Sequence, residues 1–402
     1  MYNMKQIIVA CTLVLGLFSV QLFAQDTLKN KKDGKYYFTV VNDVESNSVQ
    51  NQNRTGTCWS FSALSFMESE IMRVGKGKHK LSEMYIVRKA YYDKAEKYVR
   101  MHGSIGFGQG GAFHDIPYVI KKYGIVPEEA YPGLNYGEEK HNHGELESML
   151  QGMCDAVIKN RQGHLTTAWK NAINGVLDAY LGAEPKNFTY KGVSYTPLTF
   201  SASLGINMDD YITLSSYTHH SFHQTFILEV NDNWVMGEVY NVTLDELTAT
   251  ATGALSKGYS IAWAADVSEK GFSFNNGLAI IPEDEASLSQ KGSDNKHFND
   301  GGAERTGTQF DSPGKEKVIT QAMRQTAFDN YTTTDDHGMH LTGMVKDQNG
   351  ASYFIVKNSW GTKNDCDGYM YASIPYFQYK TMDIMIHKDA LPKDVKKKLN
   401  LK

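Results

Sequence analysis

Phe61, Leu64, Met67, Ile71 and Val74 recur at intervals of three and four residues. That spacing predicts a helix with an apolar stripe, beginning at or near Cys58 and ended by the run 75–78. Similar patterns predict helices over 82–99 and 112–123, the latter closed by Gly124. Between them lies a glycine-rich break, 103–111, that ends Gln109-Gly110-Gly111, and residues 127–132 read as a turn. The pattern then weakens. Helices are predicted over 146–158, 168–181 and 244–255, and strands over 35–41, 188–195, 211–214, 226–230 and 259–264. The polar stretch 283–316 reads as a long loop or linker. Met339, Leu341, Gly343 and Val345 then alternate with other residues, as in a half-buried strand. Asn349-Gly350 marks a hairpin loop over 346–350, and 353–357 is a continuous apolar strand. With that loop centred on Gln348, His337 stands 11 residues before it and Asn358 stands 10 after. The hairpin therefore predicts an imidazole and an amide near one open end.

Length and composition widen this picture without giving it chemistry. At 402 residues the chain has room for two lobes, or for one domain with a large insertion. Its 41% hydrophobic, 12% aromatic and 21% charged residues are those of a globular protein rather than a disordered one. A net charge of −4 gives no ground for a nucleic-acid or anionic-membrane partner. The first 24 residues differ from the rest. Lys5 precedes an apolar run over 7–23, and Leu22-Phe23-Ala24 precedes the polar Gln25-Asp26. This is the order of a secretory signal cut after Ala24, so export to a periplasmic or extracellular space is expected, with no stable membrane insertion afterwards. Loss of Cys11 with that segment leaves Cys58, Cys154 and Cys366. An odd number leaves at least one thiol unpaired. Cys58 is expected to be the free one, and a Cys154–Cys366 bridge is left open.

Two readings of Cys58 compete. A free cysteine is commonly a small buried apolar group. At a helix N-terminus, though, the partial positive charge favours a thiolate, which makes the sulfur a usable nucleophile. Position alone does not separate these readings. A cysteine nucleophile needs an imidazole to move its proton, a group to orient that imidazole, and donors for the oxyanion. His337, Asn358 and Gln52 are residues of those three types. In such a set the resting state is a thiolate–imidazolium couple, for which an amide orienter suffices. His340 is the rival imidazole, three residues on and opposite to His337 in strand alternation. His219 and His223 have the i, i+4 spacing of a metal-binding helix face, with His220 beside them. No glutamate lies between them as a zinc peptidase would need, and Tyr217 and Phe222 suit a loop or strand. No metal and no other cofactor is expected.

Three segments, taken in order, make the chemistry specific. Gln52 with Gly56-Thr57-Cys58-Trp59-Ser60-Phe61, then His337-Gly338-Met339, then Lys357-Asn358-Ser359-Trp360-Gly361, resemble the signatures of the papain-like cysteine peptidases. The resemblance implies Cys58 as nucleophile, His337 as base and acid, Asn358 as orienter and Gln52 as oxyanion donor. It also implies that Trp360 shields the His337–Asn358 bond and that Gly110 and Gly111 carry the substrate backbone. Thr57 stands where the common pattern has Ser or Ala.

From Cys58 to His337 the interval is 279 residues, against about 130–150 in ordinary members. That surplus, with Tyr123-Gly124-Ile125-Val126-Pro127 and Met208-Asp209-Asp210-Tyr211, is similar to the bleomycin hydrolase/aminopeptidase C branch. The branch implies an α+β, papain-like two-lobe fold: a helical lobe, an antiparallel β-barrel-like lobe and a large, partly helical insertion. Expected divisions are 25–135 for the helical lobe, 136–240 for the insertion and 241–402 for the β-rich lobe. The branch also implies peptide substrates that lose N-terminal residues, and often a hexameric ring. Its C-terminal tail enters the cleft and restricts cleavage to N-termini. Here the sequence passes Pro392-Lys393-Asp394-Val395 to Lys402 and reads as ending before such a tail. An endopeptidase or broad peptidase is therefore the alternative. A Cys-His acyltransferase of the transglutaminase type more often uses aspartate as orienter, and a scaffold has no need of Gln52 or Cys58.

Overall fold

The computed structural model describes residues 28–161, 163–292 and 303–401. The expected signal segment lies outside them. Helix α1 (Cys58–Arg73) runs through the middle of the molecule. The sequence predicts one apolar stripe for it, but Ser60, Ser62, Glu68, Ser69 and Glu70 are buried as fully as Leu64 and Ile71. The helix is enclosed from several sides, and its polar groups are satisfied inside. Ser60 Oγ donates to the Glu83 carbonyl (3.0 Å), and Glu68 accepts the Leu81 N–H (2.8 Å).

On one side pack α2 (Glu83–Arg100), α3 (Asp115–Tyr123), α4 (Gly144–Ile158), α5 (Ala168–Leu181) and α6 (Pro197–Ser203). One apolar cluster joins Trp59 and Phe66 of α1 to Leu146 and Leu150 of α4, Leu177 of α5 and Phe200 of α6. Two strands, β1 (Leu28–Lys29) and β2 (Tyr37–Asp43), precede α1. The predicted strand over 188–195 is instead a hairpin of β3 (Phe188–Tyr190) and β4 (Val193–Tyr195). Its turn residues Lys191 and Gly192 take φ of 48° and 80°, the left-handed pair that a tight hairpin requires.

On the other side lies a curled sheet. Its strands are β5 (Tyr211–Ser215), β6 (Thr225–Ile227), β7 (Glu238–Asn241), β8 (Ile261–Ala265), β9 (Phe272–Ser273) and β10 (Leu278–Ala279). After β11 (Leu288–Lys291) and β12 (Glu304–Gly307) come β13 (His337–Lys346), β14 (Ser352–Lys357), β15 (Tyr369–Ser373) and β16 (Thr381–His387). Their order is β6-β7-β5-β16-β8-β13-β14-β15-β10-β9, antiparallel except at β5–β7 and β10–β15. Helices α7 (Leu244–Ser256), α8 (Gln321–Asp329), α9 (Ile374–Lys380) and α10 (Lys393–Lys398) flank it. The second core packs Leu247 and Leu255 of α7 on Met339, Leu341 and Phe354, and takes in Val395 and Leu399. The stretch 283–316 is not wholly loop, since β11 and β12 pair within it from Leu288↔Gly307 to Lys291↔Glu304. Its strands keep only Leu288 buried, too little apolar alternation for the sequence to signal them.

Strand β13 is the piece that positions the site. His337 to Leu341 pair with β8, whereas Gly343 to Lys346 pair with β2. A bulge between Leu341 and Gly343 bends the strand between these partners. Its first residues lie against the start of α1. A Cβ at Gly338 would stand 2.7 Å from Ser62 Oγ and 3.3 Å from Trp59 Cα. Glycine at 338 therefore lets the strand approach the helix backbone. Among the described residues, no helix is long and apolar enough to cross a membrane.

Candidate active site

Cys58 opens α1 and is partly exposed, while Thr57 and Trp59 on either side are buried. The Gly338 backbone N–H lies near its sulfur and favours the thiolate. Gly338 follows His337 directly, so the close approach just described also brings that imidazole to the nucleophile's end of the helix. His337 Nε2 lies 2.7 Å from Asn358 Oδ1, and the pair is buried. Asn358 Oδ1 also accepts the Ser359 N–H at 2.7 Å, which fixes it as the oxygen. Nε2 must then be the donor, and Nδ1 of the neutral ring is left as the basic atom. Trp360 stacks on the His337 ring, centroids 4.5 Å apart and planes 28° apart. Phe272 and Phe274 meet Trp360 edge-on at 5.9 and 5.3 Å. The His337–Asn358 bond thus lies under an aromatic lid, where a hydrogen bond has less competition from water.

Gln52 is buried and bonded at both ends of its amide. Oε1 accepts from Ser359 Oγ at 2.6 Å, and Nε2 donates to the Thr55 carbonyl at 2.7 Å. Its backbone N–H reaches the Ser359 carbonyl at 2.9 Å. The segment before α1 is thereby tied to the segment after Asn358. One Nε2 hydrogen has its partner in Thr55, and an amide nitrogen carries two.

The glycine strip is equally fixed. Trp59 Nε1 donates to the Gln109 carbonyl (3.0 Å), and Gln109 Oε1 accepts the Gly56 N–H (2.7 Å). Lys94, buried beneath, donates to the carbonyls of Gly108 (2.8 Å) and Gly110 (2.5 Å). A Cβ at Gly111 would lie 2.8 Å from the Trp59 ring, and one at Gly110 would lie 1.8 Å from Asp232 Oδ2. Asp232 was not among the residues picked out by sequence. Asn231-Asp232-Asn233 reads only as a turn, and nothing local says which surface that turn covers.

Asp232 and Asp335 bring carboxyl groups near Cys58. Burial pushes the Cys58 thiol up to about 12, and the nearby Asp232 and Asp335 carboxylates add to the rise. Burial holds His337 down at about 4, against the Asn358 bond and the Asp336 charge that favour the imidazolium. Burial of both groups therefore works against the thiolate–imidazolium couple expected from sequence. A helix N-terminus offers about 0.3–1 kcal/mol in return. The backbone N–H groups of Gly338 and Trp59 favour the thiolate, and the Asn358 bond and Asp336 favour the imidazolium.

The other candidates lie elsewhere. His340 is fully buried, with Nδ1 2.9 Å from Ser65 Oγ, about two turns along α1 from Cys58. His219 and His220 both reach Glu229, at 3.0 and 2.7 Å, with ligand-type atoms within 4.8 Å of one another on an open surface. His223 turns away to Glu246 (2.9 Å), so the i, i+4 pair shares no common face. Cys58, Cys154 and Cys366 are all unpaired.

With this geometry in hand, comparison with known proteins is direct. Residues 39–231 match the papain family cysteine protease profile, and residues 315–402 match the Peptidase C1-like family. The chain belongs to the papain family of cysteine peptidases. Aminopeptidase C of Lactobacillus delbrueckii subsp. lactis is 26% identical over 419 residues, covering 93% of this chain and 86% of that protein. Aminopeptidase G of the same organism is 22% identical over 400 residues, covering 88% and 83%. Aminopeptidase C of Listeria monocytogenes is 24% identical over 394 residues, also covering 88% and 83%. The crystal structure of PepW from Lactobacillus rhamnosis shares the fold, with a TM-score of 0.67 at 21% identity over 90% of this peptidase and 84% of that chain.

Proposed function

We propose that this peptidase cleaves peptide bonds through Cys58, His337, Asn358 and Gln52, and that it acts as an aminopeptidase. The Trp360-covered His337–Asn358 bond, with Gly338 packed against the start of α1, carries the catalytic part. The names of the relatives support the aminopeptidase part. His337 Nδ1 takes the thiol proton as Sγ attacks the carbonyl carbon. The transfer forms a thiolate–imidazolium pair whose charges stabilise each other. The oxyanion is received by the Cys58 N–H and the remaining Nε2 hydrogen of Gln52. The imidazolium, held by Asn358, gives its proton to the leaving amine, and the acyl group stays on Sγ as a thioester. His337 then draws a proton from water as that water attacks the thioester, and the acid is released.

Two measurements test this reading. Amino-acid amides with a free N-terminus should be hydrolysed at least about tenfold faster, as kcat/KM, than their N-acetyl counterparts. Equal or reversed rates would instead support an endopeptidase. Gln52→Ala should lower kcat by about 10²–10³-fold, the usual loss of one oxyanion donor. Ser359→Ala removes the bond to Gln52 Oε1 but no donor to the oxyanion, and should cost less than about tenfold. Equal losses in the two variants would reduce Gln52 to a structural peg.

A further inference from the structure

We propose that His219, His220 and Glu229 form a binding site for a divalent transition metal of the zinc class. None of the three takes part in the chemistry proposed above, so the site stands or falls independently of the aminopeptidase reading.

The first argument is convergence. Adjacent side chains on an extended strand face opposite ways. Residues 218–220 turn instead, and both imidazoles reach one carboxylate. His219 Nε2 lies 3.0 Å from Glu229 Oε2, and His220 Nε2 lies 2.7 Å from Oε1. The three ligand-type atoms lie within 4.8 Å of one another. A tetrahedral zinc ion holds its nitrogen and oxygen donors roughly 3.3–3.6 Å apart, so taking one up needs shifts of about 1 Å or less.

The second argument is support. The His219 ring stacks on Phe328 of α8 (5.6 Å, 14°), and the His220 ring stacks on Phe226 of β6 (4.6 Å, 26°). The backbone of the turn is held by the buried Asn241 of β7. Its Nδ2 donates to the carbonyls of Tyr217 (2.8 Å) and His220 (3.0 Å), and its Oδ1 accepts the Tyr217 N–H (2.9 Å). Gln325 of α8 accepts the Thr218 N–H (2.5 Å) on Oε1, and its Nε2 lies 3.0 Å from His219 Nδ1. In the metal-free ring that contact leaves the hydrogen on Nε2, aimed at Glu229. Metal at Nε2 moves the hydrogen to Nδ1, for which Gln325 Oε1 at 3.4 Å is the acceptor.

The third argument is donor chemistry. Two imidazoles and one carboxylate suit zinc and its first-row neighbours, whereas calcium and magnesium take oxygen donors. Three protein donors at an exposed position leave the fourth place to water. His223 is outside the set, bonded to Glu246 at 2.9 Å. The donors are thus sequence neighbours that meet a residue from across β6, the end strand of the sheet. A bound ion would clasp the turn before β6 to the residue that follows it, and so favour the folded chain.

Zinc titrated calorimetrically into the full chain, with its accessible thiols first alkylated by iodoacetamide so that Cys58 does not compete, should bind at one equivalent. His220→Ala and Glu229→Gln should each weaken binding at least tenfold, and His223→Ala should leave it within about twofold of the wild type. Zinc should raise the thermal unfolding midpoint of the wild type and leave that of His220→Ala unchanged. Circular dichroism of each variant, matched to the wild type without zinc, separates loss of the site from loss of the fold. Absence of zinc binding by the alkylated wild type would overturn the proposal, as would unchanged affinity in both His220→Ala and Glu229→Gln. A loss in His223→Ala as large as that in His220→Ala would also overturn this ligand set.

Discussion

Cys58→Ala should lower peptide hydrolysis by on the order of 10⁶-fold, the loss seen when a covalent nucleophile is removed from an otherwise complete site. Among the described residues no other thiol is placed to stand in. Cys154 is buried in the helical core, and the Cys366 thiol donates to the Asn30 carbonyl at 2.9 Å. Labelling by a thiol-directed peptide inhibitor should disappear with the activity. The fold should survive, because Cys58 is only partly buried and alanine is the best helix former. Circular dichroism unchanged from the wild type, with hydrolysis lost, is the expected pair of observations. Hydrolysis at the wild-type rate would sink the assignment.

His337→Ala should cost a similar factor, whereas His340→Ala should mainly cost stability. The two imidazoles lie on one strand three residues apart, but their surroundings differ. His337 meets Asn358 and Trp360 beside the start of α1. His340 is enclosed between α1 and the sheet, against Ser65 and Phe66. Truncating it leaves a cavity and takes away one partner of the Ser65 hydroxyl, which keeps the bond from Lys357 Nζ (2.8 Å), worth about 2–4 kcal/mol of unfolding free energy. The wild-type pH profile adds an independent check. Burial holds His337 at about 4, below the ordinary 6.5. A lowered value means the basic form persists to more acidic pH. The acid limb of kcat/KM should therefore fall near pH 4, with activity still present at pH 5. A limb at 6.5 or above would show that the imidazole is not desolvated as described.

Residues 35–41 and 353–357 read as strands because their apolar patterns are local, and β2 and β14 occupy nearly those positions. The hairpin register was legible to within a few residues. His340 pairs with Lys357, and the bulge after Leu341 supplies the offset that counting from Gln348 could not include. Elements whose burial depends on distant partners were not legible. β15, α9 and β16 pack on the sheet from the end of the chain, and β7 pairs with both β5 and β6. Short strands of this kind carry too few residues for a period to show.

Sequence by itself picked out Cys58, Gln52, His337 and Asn358, because each is a residue type that thiol acyl transfer requires, and the resemblance of the segment around Asn358 to the papain-like peptidases added Trp360. It also located the Gly110–Gly111 strip, because consecutive glycines are a local signal. Tertiary structure alone decided how far Cys58 and His337 are withdrawn from water, since burial is a property of what packs around a group. It alone separated His337 from His340 by surroundings, since strand alternation says only that they face opposite ways. And it alone brought Asp232, 122 residues beyond Gly110, onto the glycine strip. A single carboxylate has no period and no motif, and its meaning comes from the surface on which it is placed.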